Sequence, residues 1–292
     1  MKRRSLDYFL ADPAGNITVF ITSPVSREDY QEAAKELLHA CPTAEQVGFI
    51  LPDGKGGEKM EMAGLEFCGN ASRAFAMDQA VKKGLFDQEI DVSVSGSGAP
   101  LKAWVTFDEN DEEDVRGSGR VKIEMPLPKG QEELVIPASV TGGEEVTGTL
   151  VHLEGIDHLV LTGVTADKPL TDRILSWFYR DLAMDPPAFG MMFLEEDREH
   201  LVPVVYVRDV DTVYFEGSCA SGSVACGCAL AMSEDPAKGG EGSSAYTFCQ
   251  PAGELAVSVT KKEGEIVRIL LDGSVEVMEE HIHESREEGD LS

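Results

Sequence analysis

Two cysteines open the same short phrase in separate halves of the chain. One copy reads Cys68-Gly69-Asn70-Ala71-Ser72-Arg73-Ala74 and the other Cys219-Ala220-Ser221-Gly222-Ser223-Val224-Ala225. Each phrase leads into residues with helical character, which puts each cysteine at a helix N-terminus. A helix start exposes unpaired backbone N–H groups and the positive end of the helix dipole. A thiol placed there is expected to shift toward thiolate, and a carboxylate placed there finds donors aimed at it. The small residues Gly69, Ala71, Ala220 and Gly222 let a ligand come close to the backbone. Two such helix ends facing one another across a cleft could share an amino-acid carboxylate, with the α-carbon between the sulfurs. One sulfur then removes the α-proton as thiolate, and the other delivers a proton to the opposite face as thiol. Fixed donors in a dry site stabilise the charge that develops. A symmetric reaction explains why the phrase is present twice.

The other cysteines fit plainer roles. Cys226 and Cys228 lie inside the second helical stretch and read as small core residues, while Cys41 and Cys249 have no motif around them. A zinc site is not expected: there is no Cys-x-x-Cys pair, and Cys-x-Cys within a helix points its sulfurs apart. "SVSGSGAP" lacks the spacing of a phosphate-binding loop and reads as a turn. Inversion by two thiols needs no pyridoxal and no other cofactor.

Composition narrows the partners. The chain has 292 residues, 42% of them hydrophobic, and a net charge of −28. That charge repels nucleic acid and anionic membrane surfaces, leaving a small-molecule amino acid as the expected partner. The oligomeric state stays open, a homodimer included. The start "MKRRSLDYFLADPAGN" has basic residues with no apolar core behind them. With no run of membrane-spanning length, the expected location is the cytoplasm, with free thiols.

Strand-like runs dominate: "NITVFITS", "QVGFILP", "EKMEM", "IDVSVSG" and "LKAWVTFD", then "VKIEMPLP", "TLVHLEG", "HLVLTGV", "GMMFLE", "VPVVYVR" and a closing hairpin in "LAVSVTKKEGEIVRILLDG". "DGKGG" after Pro52 reads as a hairpin turn. Helices are expected from Ser26 as N-cap, from Cys68 to a C-cap at Gly84, across "LTDRILSWFYRDLA", and after Cys219. The acidic stretch from Phe107 to Arg120 reads as a long hairpin loop or a linker. "PAGNITVFI" (13–21) and "LEGIDHLVL" (153–161) form a second internal echo. The expected organisation is two similar α/β domains, 1–115 and 116–278, with a frayed charged tail over 279–292.

The pair "FCGNASRA" and "SCASGSVA" resembles the cofactor-independent racemases and epimerases typified by diaminopimelate epimerase. The likeness runs along nearly the whole chain: Gly-Asn near the start, Cys-Gly-Asn, Gly-x-x-His, then Cys-x-Ser-Gly. It implies an α/β (α+β) fold of two pseudo-symmetric domains, each a strongly curved sheet around a central helix. It also implies that Cys68 and Cys219 are the two bases. Asn16 and Asn70 would lie at the site, with Gly69, Ala220, Ser221 and Gly222 gripping the α-carboxylate and His158 beside the cleft. Glu216 would receive the α-ammonium, with Glu45 a weaker candidate for the site. Departures from the pattern fall on the distal clamp. Gly155-Ile156-Asp157-His158 replaces Gly-Asn-Pro-His, and "VDTVYF" replaces the Glu-Arg phrase before the second cysteine. These changes argue against diaminopimelate, and the phrasing "EQVGFI" and "EFCGNA" is closest to the histidine racemase branch. The alternatives are a diaminopimelate epimerase with a divergent pocket and a non-catalytic amino-acid-binding relative.

Overall fold

The computed structural model describes residues 5–85, 87–108, 115–233 and 242–284. The chain packs as two units, Met1–Ile123 with Gly273–Ser292, and Glu124–Asp272.

The first unit begins with β1 (Ser5–Asp12) and β2 (Thr18–Ile21), followed by α1 (Tyr30–Ala40), β3 (Gln46–Pro52) and β4 (Glu58–Met62). Then come α2 (Gly69–Lys83), β5 (Gln88–Val94), β6 (Leu101–Phe107) and β7 (Val115–Glu124). β1 and β2 form an antiparallel pair, while β2 and β3 run parallel. A parallel pair needs a crossover, and α1 supplies it. Its buried Tyr30, Ala33, Ala34 and Leu37 pack with Val19, Ile21, Val47 and Phe49 of the strands. Tyr30 stacks on Phe49 at 3.7 Å between ring centroids. α2 differs: every residue from Gly69 to Ala80 is buried. A helix covered all round is a central helix, not a surface one. It ends at Gly84, whose positive φ of 62° lets its N–H reach back to Ala80 O and Val81 O.

The second unit repeats this order. It contains β8 (Gly130–Ile136), the single turn α3 (Ala138–Thr141), β9 (Val146–His152), β10 (Asp157–Thr162), α4 (Lys168–Ser176), β11 (Ala188–Leu194), β12 (Leu201–Val207) and β13 (Thr212–Phe215). After these come α5 (Ala220–Ser233), β14 (Gly242–Cys249), β15 (Glu254–Lys262) and β16 (Glu265–Glu284), the last of which passes into the first unit. β9 and β10 are an antiparallel pair, β10 and β11 are parallel across α4, and β11 and β12 are antiparallel. These match β1–β2, β2–β3 and β3–β4 step for step, and a Cys-initiated helix follows in both. β10 and β11 sort their side chains by face. Leu159, Leu161, Phe189, Met191 and Phe193 join the core that includes Leu170 and Ile174 of α4. His158, Gly190 and Met192 take the other face, toward α5. α5 contacts β9, β10 and β11 on one side and β14 and β15 on another.

Several expectations change. The helix expected from Ser26 starts at Tyr30, after a 3-10 turn over Arg27–Asp29, because the Ser26 hydroxyl is spent on Asp29 Oδ2 at 2.8 Å. The helix expected from 170 begins at Lys168, capped by Asp167, and ends in a π-helical turn over Trp177–Asp181. Within the expected loop from Phe107 to Arg120, residues 109–114 lie outside the described residues. Val115 onward is β7, paired with β6 with Phe107 opposite Gly119, so this is a hairpin. Packing divides the chain after Ile123 instead of after 115. Gly273 onward belongs with the first unit, because the later part of β16 pairs with β1, Phe9 opposite Glu280. The expected frayed tail is therefore strand up to Glu284; residues 285–292 lie outside the described residues. Among the described residues no helix is long and apolar enough to cross a membrane.

Candidate active site

In the first unit, Cys68 is the N-cap of α2 with extended backbone (φ −131°, ψ 114°). Ser72 N donates to Cys68 O, the first helical bond, so the N–H groups of residues 69–71 have no helical acceptor. Ala71 N–H donates to Cys68 Sγ at 3.4 Å, and the Asn70 N–H acts on the same sulfur. The thiol also reaches Gln46 Oε1 at 3.3 Å. Gln46 is held by its amide nitrogen, which donates to Asn16 Oδ1 at 2.6 Å and Thr18 Oγ1 at 2.9 Å. The parallel register that sets Thr18 opposite Gln46 makes this possible. Asn16 in turn donates to Glu45 Oε2. Three expected residues, Asn16, Glu45 and Cys68, are thus joined through Gln46, which sequence reasoning missed. Its only signal was its place beside Glu45 at the mouth of β3. Gly69 and Asn70 are buried in the first turn of α2, and Asn70 Oδ1 accepts from Arg73 at 2.9 Å.

The second unit repeats the arrangement with different partners. Ser223 N donates to Cys219 O, which leaves residues 220–222 without helical acceptors. Gly222 N–H donates to Cys219 Sγ, again at 3.4 Å. Ser221 Oγ lies 3.6 Å from the same sulfur and 2.9 Å from His158 Nε2. His158 is wholly buried, and Gly190 makes room for its ring: a Cβ there would lie 2.0 Å from Nδ1. Gln250, not foreseen, accepts Cys219 N–H at 2.8 Å and donates to Ser223 Oγ at 3.0 Å. Ala220 and Gly222 are buried in the first turn of α5. Glu216, three residues ahead of Cys219, acts on its thiol by charge and by hydrogen bond.

The electrostatics correct one expectation. Burial pushes the Cys68 thiol up from its ordinary value of 9.0, against the Ala71 N–H and Gln46 bonds. Cys219 stands well above 9.0, through burial first and then through Glu216, while Ser221 and Gly222 pull the other way. Desolvation outweighs the helix end in both cases. Burial also raises the Glu45 carboxyl, opposed by its bond from Asn16, and takes His158 down from 6.5 to about 3, so its imidazole is neutral. All six cysteines are free thiols, with Cys226 and Cys228 fully buried in α5 as read. The one metal-capable group among the described residues, Glu195, Asp197 and His200, is exposed and does not include either sulfur.

A family model described as the histidine racemase CntK N-terminal domain matches residues 5–282. The chain belongs to this family. A curated relative from Fusobacterium nucleatum subsp. nucleatum, named histidine racemase, is 30% identical over 289 residues, 96% of this chain and 97% of the relative. Another, from Staphylococcus aureus and bearing the same name, is 25% identical over 271 residues, 88% of this chain and 90% of the relative. The crystal structure of methylitaconate-delta-isomerase covers 97% of this chain and 96% of its own, at a TM-score of 0.56 and 11% identity. At that identity the likeness speaks for the fold alone, an α/β architecture. The family's chain is an isomerase, and Cys68 and Cys219 are the residues its duplicated plan sets at equivalent points.

Proposed function

We propose that this chain interconverts L- and D-histidine without pyridoxal, using Cys68 and Cys219 as the two acid–base groups. One observation carries the reading. In each unit the cysteine that opens the buried helix receives the N–H of the residue three further on, at 3.4 Å in both. Family membership and the named function of the relatives supply the substrate. In one direction the Cα–H bond breaks as a thiolate takes the proton. The opposite thiol then gives its proton to the other face, and its S–H pair stays behind as thiolate. The N–H groups of Gly69, and of Ala220 and Ser221, are suited to a carboxylate that grows electron-rich as the proton leaves. Glu216 would meet the α-ammonium, and Asn16 with Glu45 would line the Cys68 side. The raised thiols make the resting form S–H at neutral pH, so kcat/KM should climb as pH rises from 7 toward 9. The reading takes the protein to be cytoplasmic, where its free thiols stay reduced.

The test is racemisation of L-histidine by the purified protein, with reductant and after exhaustive chelation, followed by chiral chromatography. Formation of D-histidine at a steady rate supports the proposal. No change in histidine, with turnover of diaminopimelate instead, would move the substrate to the alternative epimerase.

A further inference from the structure

The segment that delivers Cys68 to α2, from Ala63 to Phe67, is neither helix nor strand. Ala63 N–H is bonded to Val47 O and Leu65 N–H to Met62 O, with Leu65 at a positive φ of 62°. A residue other than glycine stays in that region when its surroundings hold it there. The turn after β5, part of the "SGSG" phrase, does the holding. β4 and β5 run parallel with Met60 opposite Val94, so the turn meets the chain that leaves β4. Ser95 N–H continues the ladder to Met60 O at 2.9 Å. Its hydroxyl then replaces the next rung: Oγ accepts from Met62 N–H at 3.0 Å and donates to Glu66 O at 2.6 Å. A hydroxyl has one proton to give, and this one goes to the carbonyl two residues ahead of Cys68. Gly96, at φ 72°, packs its backbone on the next peptide: a Cβ there would lie 2.5 Å from Phe67 N and 2.9 Å from Phe67 Cα.

We propose that Ser95 and Gly96 are positioning residues that set where Cys68 Sγ stands at the mouth of α2. The hydroxyl fixes the Glu66 carbonyl, close packing fixes the Phe67 peptide, and Cys68 is the next residue. The cap's own bonds, Ala71 N–H to Sγ and Ser72 N–H to Cys68 O, run forward into the helix. They leave the approach of the chain to the cap unset, and the brace from Ser95 and Gly96 supplies that half. The second unit carries the same device in different atoms. The carbonyl two residues ahead of its cysteine, Gly217 O, accepts Ala252 N–H at 2.9 Å, and Gln250 Oε1 accepts Cys219 N–H at 2.8 Å. Both donors of this hold lie in the turn after β14, the strand that follows α5 as β5 follows α2. A serine hydroxyl in one unit and a main-chain N–H in the other meet the same carbonyl position. Agreement in place without agreement in residue type points to a requirement on geometry. A reacting group displaced by about 1 Å costs on the order of 10²-fold in rate, so the brace acts on turnover more than on affinity.

This deepens the function proposed above and rests on Cys68 as a reacting sulfur, but one of its two readouts needs no turnover. Steady-state kinetics with L-histidine are measured on full-length variants at a temperature where circular dichroism shows each one folded. Iodoacetamide alkylation of the Cys68 and Cys219 peptides is followed by mass spectrometry at one fixed pH. Ser95→Ala should lower kcat about tenfold with KM nearly unchanged, and Ser95→Thr, which keeps the hydroxyl, should restore it. Alkylation of Cys68 should quicken about fivefold in Ser95→Ala as the entry segment opens, while Cys219 keeps the parent rate. Gly96→Ala and Gly98→Ala separate the brace from plain backbone strain. Both glycines have positive φ, 72° and 70°, but a Cβ on Gly98 would meet nothing within 4 Å. The two variants should lose similar stability, and Gly96→Ala alone should lose kcat, by about tenfold or more. A Ser95→Ala protein with parental kcat, or with parental Cys68 alkylation, overturns the proposal, as does an equal fall of kcat in Gly96→Ala and Gly98→Ala. Absence of histidine racemisation in the parent protein, with Cys68 alkylation still quickened in Ser95→Ala, would count against the substrate and not against the brace.

Discussion

Helix α2 buries Asn70, Ser72, Arg73, Asp78 and Gln79, whereas α5 buries Val224, Ala225, Cys226, Cys228, Leu230 and Ala231. Both helices are covered on all sides, yet their interiors are held by different forces. A polar group inside a protein must be hydrogen-bonded, and α2 meets the demand residue by residue. Arg73 donates to Pro13 O at 2.9 Å, Ser274 O at 3.1 Å and Asn70 Oδ1 at 2.9 Å. Asp78 pairs with Arg116 at 2.7 Å and with Lys82 at 3.0 Å. Those partners come from both ends of the unit's sequence, since Ser274 lies on the part of β16 that returns to it. α2 is thus a polar clamp joining segments distant in the chain. The second unit is continuous in sequence, and α5 fits it by close contact: a Cβ on Gly227 would lie 2.7 Å from Val257 Cγ1. The duplicated phrase at the helix mouths is kept while the helix bodies have diverged. That separation marks the first turn as the part under chemical constraint and the body as the part under packing constraint.

Breaking the shared feature should have the largest effect. Cys68→Ser and Cys219→Ser should each lower kcat by about 10³-fold or more, because an alcohol is a far poorer base than a thiol near neutral pH, with circular dichroism unchanged. Full activity in either variant would end the equivalence of the two helix mouths. Next comes the polar clamp. Arg73→Met leaves Asn70 and two carbonyls without their donor and should cost about 3–5 kcal/mol in urea unfolding. The same change has no counterpart in α5.

Acid separates the units further. A histidine depressed from 6.5 to about 3 contributes stability that is complete above pH 6.5 and shrinks as pH falls toward 3, because the unfolded chain takes the proton first. Glu61 is held down from 4.5 to about 2, chiefly by Arg27, so its contribution is complete above 4.5 and is lost as pH falls toward 2. Amide hydrogen exchange between pH 6.5 and 4.5 should therefore show β10 and α5 weakening by ~1.4 kcal/mol per pH unit while α1 and β4 hold. Loss in the first unit before the second would contradict this order. The smallest effect is expected at the packing contact. Gly227→Ala should destabilise by about 1–3 kcal/mol through overpacking against Val257, read as a lower Tm with catalysis intact.

The sequence showed the helix mouths more clearly than what surrounds them. Cys68, Gly84 and the span from Ala220 to Ser233 were legible because caps and helical spacing are local signals. Asn16, Glu45, His158 and Glu216 were reachable only through family resemblance. Gln46 had only its place beside Glu45 to mark it, and Gln250 was not legible at all. Each meets its cysteine through a non-local pairing, Gln46 by the parallel register of β2 and β3 and Gln250 from the turn after β14. The same reason hid the last part of β16. "VMEEHIHE" looks solvated when read alone, and its partner is β1, more than two hundred residues earlier. The rise in both thiol values was also missed, because the helix-end effect is readable from sequence and burial is not.

The central claim is that two different sulfurs serve the two faces of one α-carbon. Its most direct test is the isotope pattern of L-histidine turned over in D₂O and stopped at low conversion. A thiol holds a single proton, so the hydrogen taken by one sulfur does not reach the face served by the other. The account predicts α-deuterium throughout the D-histidine formed and an undeuterated α-carbon in the L-histidine recovered. Equal deuterium in both enantiomers from the earliest times would mean a single base, and would contradict it.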